Sequence, residues 1–216
     1  SLMETKKIYV ADGHHRFDVS YRLNLDYVPL YLASMDSKGI VILPYHRIIK
    51  FTRKRGLKEL FALMDGHVMI EQHTLVDDTS PRKAAQGINK AAKPSIILFA
   101  KEDPHHFYVI TEKMPLYTDN SVYDTLRNLR VSVIHTGILK NLLRIEDDEI
   151  SFTQDFDSSV SLVREGTVDA AVFLPPTTVE EVKEVAEKGL YMPPKSTFFY
   201  PKILTGLVFH RYVPDR

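Results

Sequence analysis

The chain has 216 residues, of which 44% are hydrophobic and 26% charged, with 28 basic side chains against 28 acidic ones and no cysteine. A chain of this make-up buries one sizeable core, and its zero formal charge supplies no overall field toward nucleic acid or an anionic membrane. The absence of cysteine excludes disulfides, thiolate-held metal and a thiol nucleophile.

In chain order, Lys6 to Ala11 is a β-rich run that breaks at Asp12-Gly13, and a helical pattern from His14 to Leu25 follows at once. Phe17, Tyr21 and Leu25 are spaced to share one helical face. Val28 to Ser34 reads as a strand, Asp36 to Gly39 as a turn, and Ile40 to Leu43 as the returning arm of a hairpin. Pro44-Tyr45-His46-Arg47 then stands at the hairpin end, ahead of a β-rich Ile48-Ile49.

Gly56 to Met64 forms an amphipathic helix, His67 to Ile70 a strand and Pro81 to Ala92 a helix. Ser95 to Ala100 and His105 to Thr111 make a hairpin, and Asp119 to Leu143 is helical in two pieces. Glu149 to Thr153 is a strand, and Asp157 to Glu165 a helix capped by Asp157. Val168 to Leu174 is a buried strand, and Thr178 to Lys188 a helix with a Thr178/Glu181 capping box and a stop at Gly189. Hairpins among the alternating elements point to an α+β or mixed α/β fold, a mixed sheet with flanking helices. Residues 3–216 are expected as a single unit, with a weak seam near 80–93, and with Ser1-Leu2 set aside as a tag remnant.

Chemistry concentrates in three stretches. Asp12-Gly13-His14-His15-Arg16 places two histidines and an arginine in a first helical turn, where exposed N–H groups and the helix dipole favour negative charge. A bound phosphate reverses that mismatch, with Gly13 admitting it to the backbone and Arg16 forking onto it. Asp12, His14 and His15 are the candidate catalytic groups. The second stretch, Pro44-Tyr45-His46-Arg47, repeats a His-Arg pair that can supply a further clamp. The third, Met192-Pro193-Pro194-Lys195-Ser196-Thr197-Phe198-Phe199-Tyr200-Pro201-Lys202, presents Lys195, Ser196, Thr197 and Lys202 to an anion. The run Lys50, Arg53, Lys54, Arg55 has no interleaved aromatics and reads as a solvated face. A metal site drawn from Asp12, His14, His15, His46, His135 and His210 is the competing arrangement, but no metal-ligand spacing occurs and none is assigned.

These three stretches, in this order and separation, resemble the bacterial and archaeal family known as domain of unknown function 1015. The resemblance implies that the sequence corresponds to the C-terminal part of a longer protein, since family members carry a region ahead of the Asp-Gly-His-His-Arg box. More distantly, the box is similar to the phosphate-binding element of the ParB/sulfiredoxin superfamily, which includes an archaeal free-serine kinase. That likeness implies a ParB/sulfiredoxin-like element at the N-terminus, with Gly13, His14, His15 and Arg16 on phosphate. The sulfiredoxin nucleophile falls at His14, which excludes that chemistry.

The expected function is binding of a phosphate or nucleotide, with a small-molecule kinase or phosphohydrolase as the enzymatic form and a nucleotide with Mg as the cofactor. A non-enzymatic ligand-binding or interaction module and a metal-dependent hydrolase are the alternatives. No bilayer-length apolar run and no leader pattern occur, so a cytoplasmic protein is expected, with small molecules rather than nucleic acid or membrane as partners.

Overall fold

Two compact units divide the chain, one of Ser1–Ile42 with Phe199–Arg216 and one of Leu43–Phe198, where the sequence suggests a single unit. The stretch 80–93 lies inside the second. The computed structural model describes residues 3–37, 39–77, 80–116, 124–204 and 206–207.

In the first unit, α1 (His14–Arg22) starts where the sequence places it and has no buried residue. Phe17 and Tyr21, expected to share one helical face, are 46% and 79% exposed. The two strands expected here do not form, because Lys6 to Ala11 and Val28 to Ser34 are irregular backbone. The turn is present, with the Ser37 N–H donating to the Ser34 carbonyl at 3.0 Å. Its second arm, β1 (Val41–Leu43), pairs with Phe198–Tyr200 instead of with the preceding segment. Side-chain packing decides strand pairing more than local propensity does, and three consecutive aromatics offer more surface to pack than the local run does. The division between units at 42/43 and 198/199 falls within these two strands.

The second unit holds a six-stranded sheet with helices on both faces. In chain order it contains β2 (His46–Ile49), α2 (Leu57–Met64), β3 (Val68–Thr74), α3 (Ser80–Ile88), β4 (Ser95–Ala100) and β5 (His106–Glu112). Then come α4 (Asp124–Arg127), α5 (Arg130–Ser132), a π-helical segment (Val133–Leu142), β6 (Ile150–Thr153), α6 (Phe156–Arg164), β7 (Ala170–Phe173) and α7 (Val179–Glu187). Of the expected helix from Asp119, residues 119–123 lie outside the described residues. Strand order is β3-β5-β4-β7-β2-β6, and every ladder is antiparallel, which makes the fold α+β.

The continuous apolar runs of β4 and β7 are buried at every position, as central strands require. Alternation splits the sheet between two cores. Ile49, Ile96, Leu98 and Ile110 pack under Leu60, Met64, Ile134 and Ile138 on one face. Ile48, Ile97, Phe99, Phe107 and Phe173 pack under Phe156, Val160 and Ile88 on the other.

Two helix starts show the local rules at work. In α7 the Thr178/Glu181 box forms as expected, with the Glu181 N–H donating to Thr178 Oγ1 at 3.1 Å. In α6 the cap is Asp155 and not Asp157, and its carboxylate accepts the Ser158 N–H at 3.0 Å. Among the described residues no helix is long and apolar enough to cross a membrane.

Candidate functional site

The Asp12–Arg16 turn is built on Gly13, which sits at φ +83° and ψ +25° as the residue preceding α1. This left-handed conformation costs glycine nothing and strains any residue with a Cβ. The Arg16 side chain folds back over the turn so closely that a Cβ on Gly13 would lie 3.0 Å from its Nη2. The Gly13 N–H donates to Asp12 Oδ1 at 2.9 Å, and Lys202 Nζ donates to Asp12 Oδ2 at 2.8 Å. Partial burial raises the Asp12 pKa, but the Lys202 hydrogen bond and charge, the Gly13 N–H and Arg16 together hold it below the usual carboxylate value.

The first turn of α1 contains no acidic residue. Asp12, His15 and Arg16 are exposed and His14 is half-buried, so cationic side chains and the positive end of a nine-residue helix share one surface. Asp12 supplies that surface's carboxylate, and Lys202 engages it. The structure therefore joins Lys202, from the third motif, to the first motif across 190 positions of sequence.

The second motif lies elsewhere in the fold than a hairpin end. His46 and Arg47 are consecutive residues of β2, 5% and 1% exposed, between β6 and β7. The pleat sends them to opposite faces of the sheet, so they cannot close together on one anion. His46 stands edge-on to Phe156 and Phe173 at 5.8 and 5.1 Å, and its Nδ1 accepts the Leu174 N–H at 3.4 Å. Burial, then the charges of Arg47 and Arg82, lower its pKa to about 4, which leaves the imidazole neutral. Arg47 lies over the Phe152 ring at 5.3 Å and donates from Nη1 to the Tyr45 carbonyl at 2.5 Å, while its Nε has no partner among the described residues. Burial alone lowers its pKa to about 10.

In the third motif, Ser196 is buried and its hydroxyl donates to the Pro193 carbonyl at 2.5 Å. Its own carbonyl accepts from Thr177 Oγ1 at 3.0 Å, so Ser196 fastens the loop. Lys195, at φ +56°, is exposed with its ammonium 5.3 Å from the Tyr45 ring centre. Thr197 is half-buried.

Sequence reading overlooked two features of the second unit. His135, in the π-helical segment, has its pKa lowered to about 4 by burial and then by Arg47 and Lys140, and its Nδ1 has no partner among the described residues. Nothing in a lone His at helical spacing announces that. A depression of about 770 Å³ is lined by Arg53, Arg55, Lys101, Glu102 and Asp169, where the basic run was taken for a solvated face. Five of its charged side chains have partners within the unit. Glu59 takes Arg53 at 2.9 Å and Arg55 at 3.2 Å, Asp169 pairs with Lys101, and Glu102 accepts the Leu57 N–H at 2.7 Å. Among the described residues no group of three or more His, Asp or Glu side chains is placed to hold a metal ion, and His210 lies outside them.

The solved structures that match the chain include two different proteins. One is described as a conserved hypothetical protein from Pyrococcus furiosus, 18% identical with a TM-score of 0.48, the match covering 92% of this chain and 72% of that one. The other is a free serine kinase mutant in complex with AMP, 17% identical with a TM-score of 0.50, covering 88% of this chain. This chain spans 66% of that kinase's length, and at such identity the likeness is one of fold. None of the curated proteins compared with the chain matches it. The Asp-Gly-His-His-Arg turn and the His46-Arg47 strand both lie within residues 1–132, which match the model described as "Protein of unknown function (DUF1015)", and the chain belongs to that family.

Proposed function

We propose that the chain binds the phosphate of a nucleotide at the Asp12–Arg16 turn. The observation that carries this reading is the left-handed Gly13 opening α1, with Arg16 folded over it and Lys202 held at its edge by Asp12. N–H groups of the first turn, the helix dipole, His14, His15 and Arg16 all favour an anion there. Arriving phosphate takes the Arg16 fork and competes with Asp12 for the Lys202 ammonium. His46, Arg47 and Ser196 are spent inside the second unit, so the reading rests on the first unit.

The finer form of the proposal is a small-molecule kinase or phosphohydrolase that uses a nucleotide with Mg. The AMP-bound free serine kinase of the same fold supports it, as does the likeness of the box to the ParB/sulfiredoxin phosphate element, and the chain then corresponds to the C-terminal part of the family's proteins. Asp12 in this form keeps Lys202 beside the turn until the phosphate takes its ammonium, and His14 and His15 are the groups that would transfer protons. Calorimetric titration with AMP, ADP, ATP and inorganic phosphate, with and without Mg, tests the binding. Saturable binding is expected, weakened roughly tenfold or more (about 1.4 kcal/mol) by Arg16→Ala. No binding by any of the four, or unchanged affinity in the Arg16 variant, overturns it. Transfer of phosphate to a hydroxyl acceptor or to water, followed by phosphorus NMR, separates the enzyme from a binding module.

A further inference from the structure

Among the described residues, the outer strand of the large sheet, β3, has a partner on one side only. β3 pairs with β5 without a bulge from Val68↔Glu112 to Thr74↔His106. The flanking bonds fix which backbone groups the ladder uses. Leu75 N–H donates to the His105 carbonyl at 2.7 Å, and Lys113 N–H to the His67 carbonyl at 3.0 Å. Hydrogen-bonded pairs alternate in an antiparallel ladder, so the odd residues from His67 to Leu75 face β5. Val68, Ile70, Gln72 and Thr74 therefore turn their N–H and C=O groups outward. Residues 71–74 are exposed, and the strand contains neither proline nor lysine, the usual guards of an edge.

We propose that this edge is a self-association surface, on which two copies of the chain pair β3 with β3, antiparallel, about a two-fold axis at Gln72. The sheet then continues from one copy into the other. In this register Gln72 exchanges both backbone bonds with the partner's Gln72, and Ile70 does so with the partner's Thr74. Glu71 and His73 share one face, 3.8 Å apart within the chain. They fall in the non-hydrogen-bonded pairs, whose Cα atoms come closest, about 4.5 Å apart. Glu71 of each copy then lies opposite the partner's His73, and symmetry makes the pairing occur twice.

Neighbouring registers lose this match. An axis at Glu71 sets carboxylate against carboxylate, and one at His73 sets imidazole against imidazole. An axis at Ile70 puts Glu71 opposite Met69. The match of carboxylate to imidazole, an acceptor against a ring that can donate N–H, thus selects one register and one occupant, a second copy of the chain.

Sedimentation velocity over a wide range of protein concentration tests the proposal. A dimer is expected for the unaltered chain. Gln72→Pro removes an N–H that the fold itself does not use, so it should leave cooperative unfolding and circular dichroism intact and yield only monomer. As a second arm, Glu71→Lys should weaken the dimer roughly tenfold, and adding His73→Glu should restore it. A chain that stays monomeric at every concentration overturns the proposal and leaves the edge to a strand of some other protein. A dimer that survives Gln72→Pro, or a double charge exchange that restores nothing, overturns it equally.

Discussion

His46 is a titratable group enclosed by Phe156, Phe173 and the β-sheet, with its pKa lowered to about 4. In the unfolded chain it titrates near 6.5, so between pH 6.5 and 4 the unfolded state binds a proton that the folded state refuses. Stability is therefore complete above pH 6.5 and falls as pH drops through that window, by up to about 3 kcal/mol from this residue. Urea denaturation at pH 7 and pH 4.5 should show the loss, and His46→Leu should remove about half of it, because His135 has its pKa lowered to about 4 as well and refuses a proton over the same window. An equal loss in the leucine variant would assign the effect to other groups. Arg47, on the opposite face, has no carboxylate partner and no partner for its Nε among the described residues, so the cost of its burial is offset mainly by Phe152 and the Tyr45 carbonyl. Arg47→Met keeps the volume and removes the charge. It should leave stability unchanged or raise it by about 1–2 kcal/mol in thermal denaturation.

At the scale of elements, two aspartates separated by one residue compete for the start of α6. Asp155 accepts from the Ser158 N–H at 3.0 Å and the Ser158 hydroxyl at 2.7 Å, whereas Asp157 meets Arg82 at 2.7 Å with both side chains solvated. Asp155→Ala should cost about 1 kcal/mol and Asp157→Ala less than half of that, read side by side in denaturant melts. The reversed order would show that the ion pair, not the cap, holds the helix. This case also marks what sequence can give. The strands β4, β5 and β7 and the helices α2 and α7 were legible because apolar period, capping box and stop residue act locally. The strand expected at 28–34 was not, since a strand exists only through a partner, and β1 found Phe198–Tyr200 more than 150 positions away. For the same reason His46 and Arg47 read as a surface pair. Their sequence is identical in a turn and in a central strand, and only the neighbours β6 and β7 make it buried and two-sided. The Gly13 turn was legible because glycine before a helical pattern is a local signal. Its Lys202 contact was not, although both residues were singled out.

Across the whole molecule, burial is unevenly shared between the two units. Among the described residues, every buried hydrophobic except Ile42 belongs to Leu43–Phe198, and α1 buries none of its side chains. Local opening is governed by how much apolar surface a segment gives up, so the amides of α1 should exchange with solvent far faster than those of β4, β5 and β7. Hydrogen exchange followed by mass spectrometry separates the two sets. The same measurement carries the proposed function, because a ligand that binds only the folded turn stabilises it in proportion to the logarithm of its concentration over Kd. A saturating nucleotide should slow exchange over residues 12–22 at 100-fold excess over Kd by about 2.7 kcal/mol, roughly a hundredfold in rate. Arg16→Ala should abolish that protection, while the core strands, already at the limit set by global unfolding of their unit, should change little. Protection that appears in β4 and β7 but not in α1 would place the anion in the second unit, where Arg47 and His135 each bury a nitrogen that has no partner among the described residues.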